Sequence, residues 1–304
     1  MPSSLKVFMA FTPFTMTFFS VYLLMLFTLF SLSDFYMFWL FMELCTLLFM
    51  GMSYTLFINS FSQLMFFFLV QTIASFNLLV FYIMSFHLLF LGSLFLKVAM
   101  FPFMHWYVNV VYRFPNFVLV FISTLHKLPS MLLFMRFSSF WSPLVIMSIC
   151  LTMLFGAILM HSVVDLRYLV IVSTVISTSW FMLSLLSSGI ALFLLFYSLY
   201  SITLLAFFLF LGPLSKYLLS LSSYSTPARN SMFLLLINMS GLPPMPLFVL
   251  KLVILFNMAF ESSMWMFYET LVILVLNVFV MVAYFKCFIK FFIFKYTSVS
   301  SILL

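Results

Sequence analysis

Glu43, Lys97, Lys127 and Lys251 each stand well inside an apolar run, in a 304-residue chain of which only 6% is charged. Each charge costs about 2.5–3.5 kcal/mol at the centre of a membrane helix, even on the lenient insertion scale. A single lysine can snorkel to an interface on its long stem, but four interior charges without a role are much harder to account for. Their neighbours are informative. Pro102 follows Lys97, Pro129 follows Lys127, and Pro243, Pro244 and Pro246 precede Lys251. A proline deletes an N–H and frees the carbonyl one turn back, and broken backbone persists in a membrane only where protein or water surrounds it. Burial also disfavours the charged form of a lysine and makes its proton transferable. One acid and three lysines, each lysine beside a break, therefore suit proton transfer along a hydrated interior path. His105, His126, Tyr112, Ser123, Thr124 and Ser130 are polar residues available for the gaps. For His105 and His126 a relay role and a structural bond to a carbonyl both stand open. His87 and His161 fall near span ends and take no role.

The elements that must position these residues are long apolar segments. The chain is 67% hydrophobic and 22% aromatic, and apolar runs of roughly 20 residues follow one another along its length, each long enough for a bilayer core of about 30 Å. A soluble domain needs more charge to solvate its surface, and a β-barrel would alternate apolar and polar residues. The fold class is an all-α polytopic membrane protein. Polar, Pro and Gly punctuation divides the chain into about ten spans, near 7–31, 35–55, 61–84, 87–107, 116–136, 142–161, 166–187, 189–213, 230–258 and 264–292. The ninth carries GLPPMP and reads as one interrupted span or two short ones. No linker divides the chain, so residues 1–304 read as a single transmembrane domain.

Alternating spans place Lys6, Arg113, Arg167, Lys216, Arg229, Lys286, Lys290 and Lys295 on one side with the single acid Asp165. Arg136, Asp34, Glu261 and Glu269 fall on the other. The positive-inside rule puts both termini on the basic face. The net charge of +7 then reflects topology and contact with anionic lipids, cardiolipin among them, and nucleic acid is not implied. Cys45, Cys150 and Cys287 are scattered without C-x-x-C spacing, so neither a metal nor an iron–sulfur cluster is expected. No cleavable targeting segment is apparent. The 47 Phe and 25 Met suggest a T-rich coding bias, as in an organelle genome.

The run KVAMFPFMHWYVNVVYRFPNF and the following LHKLPS (97–130) resemble the NADH–ubiquinone oxidoreductase chain 2 family, relatives of cation/proton antiporters. That family carries K-L-G-x-x-P-F-H-F-W and then W-Q-K-L-A-P. GLPPMPLFVLK (241–251) is similar to its G-L-P-P-L-T-G-F-x-P-K, and FWLFMEL (38–44), FLVQTIAS (68–75) and DLRYLVIVSTVISTSW (165–180) resemble further segments in the same order. The resemblance runs over about residues 35–290. It implies an antiporter-like bundle with interrupted spans, in the membrane arm of mitochondrial respiratory complex I, in the inner membrane with both termini in the matrix. It also implies a row of proton relays falling on Glu43, Lys97, Lys127 and Lys251. Glu43 and Lys97 would form a pair whose separation tunes how tightly the lysine holds its proton. Lys127 would be the central relay, and Lys251 would pass the proton toward one face. NADH, FMN, iron–sulfur clusters and ubiquinone would lie elsewhere in the complex, with none bound by this chain, whose partners would be other membrane-arm subunits, antiporter-like neighbours included. The departures are specific. Met104 stands at the family's histidine with His105 shifted by one, Ser177 and Ser179 replace a histidine and a glycine, and Ala99 replaces the glycine of K-L-G. Leu247 and Leu250 replace a glycine and a proline of the distal motif. A structural membrane-arm subunit with no proton path, and an unrelated polytopic transporter, are the alternative readings.

Overall fold

The computed structural model describes residues 13–56, 61–137, 143–162, 165–187, 189–211, 226–260 and 264–300. Lys6, Lys216 and Glu261, and the side chains of Arg229, Lys290 and Lys295, lie outside the described residues. Helices account for the described chain almost throughout, as a backbone in hydrocarbon demands, because every N–H and C=O must be satisfied within the segment. Seven of these segments are long and apolar enough to cross a membrane, and four shorter apolar helices accompany them. The protein is a polytopic, antiporter-like helical membrane chain with interrupted spans.

Two compact units divide it, residues 1–145 and 146–304. The first contains α1 (Pro13–Ser31), α2 (Phe35–Leu56), α3 (Phe61–Ile83), α4 (His87–Val98), α5 (Met104–Val111), α6 (Asn116–Ser123) and α7 (Leu128–Phe137). Helices α1, α2, α3 and α4 pack successively, and α7 rests on α1, α2 and α4. Aromatic rings fill this unit. Phe49 stacks on Phe121 at 5.3 Å, and Phe35 stacks on Tyr82 at 3.6 Å.

The predicted fourth and fifth spans are both broken. Helix α4 ends in a left-handed residue, Ala99 (φ 66°, ψ 45°), and the Met100 N–H turns back to the Phe95 carbonyl at 2.9 Å, a Schellman-type stop. Helix α5 then starts beyond Pro102, whose peptide bond to Phe101 is cis. In the fifth span Thr124 leaves helical geometry (φ −113°, ψ −95°), and a 3-10 turn, Leu125–Lys127, leads into α7. Pro129 sits in the first turn of α7, where a missing N–H does no harm.

The second unit holds α8 (Pro143–Ser162), most of which lies within it, then α9 (Leu166–Ser187), α10 (Ile190–Leu211), α11 (Thr226–Ser240), α12 (Pro246–Phe260) and α13 (Met264–Ser300). The ninth predicted span is thus two short helices, because Gly241 (φ +72°) and the prolines after it cannot continue α11. Helix α13 runs past the predicted 292 to Ser300, since no proline or glycine interrupts it. Helix α9 is almost wholly buried and touches α10 and α12. Its hydroxyls are self-satisfied: Ser173, Thr174, Ser177, Thr178, Ser179 and Ser184 each donate to a carbonyl one turn back, at 2.5–2.9 Å. Gly156 lets α8 approach α9 closely, and a Cβ there would lie 2.6 Å from Ile176 Cγ1. Helices α8 and α13 flank an open apolar groove of about 660 Å³ in which His161 is the polar lining residue. The His161 Nε2–H donates to the Phe279 carbonyl at 3.2 Å, and Lys286 donates to the His161 carbonyl at 3.1 Å.

Candidate functional site

In the first unit Lys97 lies in the last turn of α4, and its Nζ meets Glu43 Oε1 of α2 at 3.2 Å. The two side chains are 3% and 18% exposed, so this is an interior ion pair. Such a pair holds because each charge is the other's compensation, and removing one partner strands the other at a cost of about 3–5 kcal/mol. The break beside Lys97 has its own partner. Gln71 Nε2 of α3 donates to the Lys97 carbonyl at 3.3 Å, satisfying backbone that the helix end leaves free.

Lys127 closes the 3-10 turn and is buried, with Nζ 4.3 Å from the centre of the Tyr107 ring of α5. That is cation–π distance, and the interaction strengthens where water is excluded. The freed carbonyls around it are taken up locally: Val120 accepts from Ser123 and Thr124 Oγ, at 3.0 and 2.7 Å, and Lys127's own carbonyl accepts from Ser130 at 2.8 Å. Ser123, Thr124 and Ser130, singled out as gap fillers, are thus brought to this break. His126 is buried, its ring 5.3 Å from both Phe49 and Phe67, and its Nδ1 has no hydrogen-bond partner among the described residues. His105 is not brought to the cluster. It is exposed, whereas Met104 and Tyr107 on either side of it are buried. A shift of one position turns a helical side chain by about 100°. Tyr112 is half-buried at the end of α5.

In the second unit Lys251 projects from α12 into a pocket of polar groups. Its Nζ donates to Asn277 Oδ1 of α13 at 3.3 Å and to the Ser240 carbonyl, at the end of α11, at 3.5 Å. The ring of Trp180, on α9, has its centre 5.2 Å away. Gly241 makes room for this head group, because a Cβ there would lie 2.9 Å from Nζ. A common rule underlies two of these placements. Lys97 sits in the last turn of its helix and Lys251 meets the last carbonyl of α11, and the C-terminal end of a helix is its negative pole.

Gln71, Tyr107, Trp180 and Asn277 were not singled out from sequence. Asn277 and Gln71 are amides in apolar runs and could have been flagged on that ground alone. In a chain that is 22% aromatic, nothing separates Tyr107 or Trp180 from ordinary packing residues.

The fold and these interior charges define an antiporter-like membrane chain. Residues 81–279 match the family described as NADH:quinone oxidoreductase/Mrp antiporter, transmembrane, and the chain belongs to that family. The resemblance drawn from motifs is met by NADH-ubiquinone oxidoreductase chain 2 of Albinaria caerulea, 28% identical over 237 residues, 74% of this chain and 71% of that one. Among solved structures, the Mrp complex of Dietzia sp. DQ12-45-1b contains a similar chain, with a TM-score of 0.68, 17% identity and 84% of this chain covered. Respiratory complex I of Thermus thermophilus with bound NADH contains another, with a TM-score of 0.66, 19% identity and 86% covered. At those identities the likeness is one of fold. This chain spans 56% and 66% of those two chains, less than two thirds of either.

Proposed function

We propose that this chain is a proton-translocating membrane-arm subunit of an NADH:ubiquinone oxidoreductase (complex I). Glu43, Lys97, Lys127 and Lys251 are its relay, driven by redox chemistry on other subunits. The observation that carries the reading is the Glu43–Lys97 pair, an interior ion pair set at a helix break between two otherwise apolar segments. A static pair of this kind stabilises less than well-packed hydrophobic side chains would. A pair that opens and closes changes how tightly Lys97 holds its proton, which is what a pump must control. With Glu43 withdrawn, protonated Lys97 gives its proton to a neutral acceptor and becomes the amine, and Lys127 and Lys251 repeat the exchange. Of the two candidate histidines, His126 lies beside Lys127 in the chain and is the one placed to assist. NADH, FMN, iron–sulfur clusters and ubiquinone belong to other subunits on this reading.

The chain would then sit in the mitochondrial inner membrane with both termini in the matrix. Other membrane-arm subunits would cover some of the apolar side chains it exposes, and anionic lipids would meet its basic loops. Replacing Lys127 by Met in the assembled complex keeps the stem and deletes the proton carrier. The expected result is a complex of normal size and NADH-oxidising capacity whose proton translocation per NADH falls several-fold. Unaltered pumping by that variant would sink the relay and leave the chain a structural subunit.

A further inference from the structure

We infer that the groove between α8 and α13 is the seat of one anionic phospholipid, with an acyl chain along the groove and the head-group phosphate on Lys286. This surface lies apart from the interior lysines, and the inference stands or falls independently of proton transfer. On α13 the lining residues Val275, Val278, Phe279 and Val282 recur at the spacing of one helical face, and Ile158 lines the groove from α8. These five side chains are 49–56% exposed. One turn beyond Val282 the same face of α13 carries Lys286, which is exposed and donates to the His161 carbonyl at 3.1 Å. That bond fixes the lysine at the end of the groove where His161, near the close of α8, supplies the polar lining. The groove is thus apolar along its length and cationic at one end.

Length and charge choose the occupant. From Leu274, the far end of the lining, to Lys286 the helix rises about 18 Å. That is close to the roughly 15 Å of hydrocarbon in one leaflet. A neighbouring transmembrane helix calls for a face of the full thickness, about 30 Å, whereas an acyl chain fills this half. Contact with the tail is not itself selective, because lipid tails are as apolar as the side chains they touch. The preference must come from the head group. An ammonium has three donors, so Lys286 can keep its bond to the His161 carbonyl and still meet phosphate oxygens. Lys290 stands one turn further along α13, and the sequence after Glu269 contains no acid. One lysine near the surface is worth a factor of about five in holding an anionic lipid.

The test is made in the intact complex reconstituted into vesicles that contain a phospholipid with a photoactivatable diazirine on its acyl chain. Phosphatidylglycerol and phosphatidylcholine carrying the same chain are compared at equal mole fraction. After irradiation, adducts on α8 and α13 are mapped by mass spectrometry and expressed as a share of the whole chain's labelling. Val275, Val278 and Phe279 are expected to take at least three-fold more label from phosphatidylglycerol than from phosphatidylcholine. Lys286→Glu should bring that ratio to about one; should it fail to assemble, Lys286→Gln deletes the charge and decides the matter by the same ratio. Equal labelling by the two lipids in the native complex overturns the inference, and so does a preference that survives loss of the lysine. A groove that neither lipid labels is covered by a neighbouring subunit, which overturns it too. None of these readings involves proton yield, so the relay is judged separately, by Lys127→Met.

Discussion

Each interior lysine is met by a different kind of group: Lys97 by a carboxylate, Lys127 by an aromatic face and Lys251 by an amide, a carbonyl and an indole. The types differ because their tasks differ on the proposed reading, with one lysine whose proton affinity is switched, one that relays and one that releases. Ala99 gives a stability prediction at this scale. It holds a left-handed conformation that costs an L-residue roughly 1–2 kcal/mol and costs glycine nothing comparable. Ala99→Gly should therefore raise the unfolding free energy measured in detergent by about 1 kcal/mol, and no gain would mean that the turn is not strained. The charged members of the site were legible in sequence because a charge in an apolar run has no cheap explanation.

At the scale of elements, the breaks were readable and their forms were not. Pro102, Pro129 and the Pro243–Pro246 cluster announced interruptions, but the sequence did not say that the second would be a single 3-10 turn, and it left the third open between one interrupted span and the two short helices observed. Proline states where a helix cannot continue; neighbouring side chains such as Gln71 decide how the freed carbonyls are satisfied. The burial of α9 was equally hidden, because a polytopic chain makes every span apolar whether it faces lipid or protein. The serines and threonines of α9 do not betray burial either, since each satisfies itself within its own turn. The α8–α9 contact can be probed at Gly156. Gly156→Val would drive a branched side chain into Ile176 and should destabilise the chain by about 1–3 kcal/mol. The corresponding change at Gly92, where a Cβ meets nothing within 4 Å, is the control.

For the whole molecule, charge asymmetry between loops makes the topology testable. Asp34 follows α1 and Arg113 follows α5; both are exposed, and α2, α3 and the broken α4–α5 span lie between them. Three crossings put them on opposite faces. Single cysteines at 34 and 113, in a background cleared of the native thiols, should react with an impermeant maleimide from opposite sides of the membrane. Labelling from the same side would show that the broken span does not cross. The partner of Lys251 has a different consequence, an electrical one. Glu43 and Lys97 carry opposite charges side by side, so a shared movement of the pair displaces almost no net charge. Lys251 faces Asn277 and, among the described residues, no carboxylate. A full elementary charge crossing the membrane changes energy by about 2.3 kcal/mol per 100 mV. On the proposed reading, membrane voltage therefore acts more strongly on Lys251 than on the paired Lys97, and back-pressure from the potential that such a pump builds would be felt there.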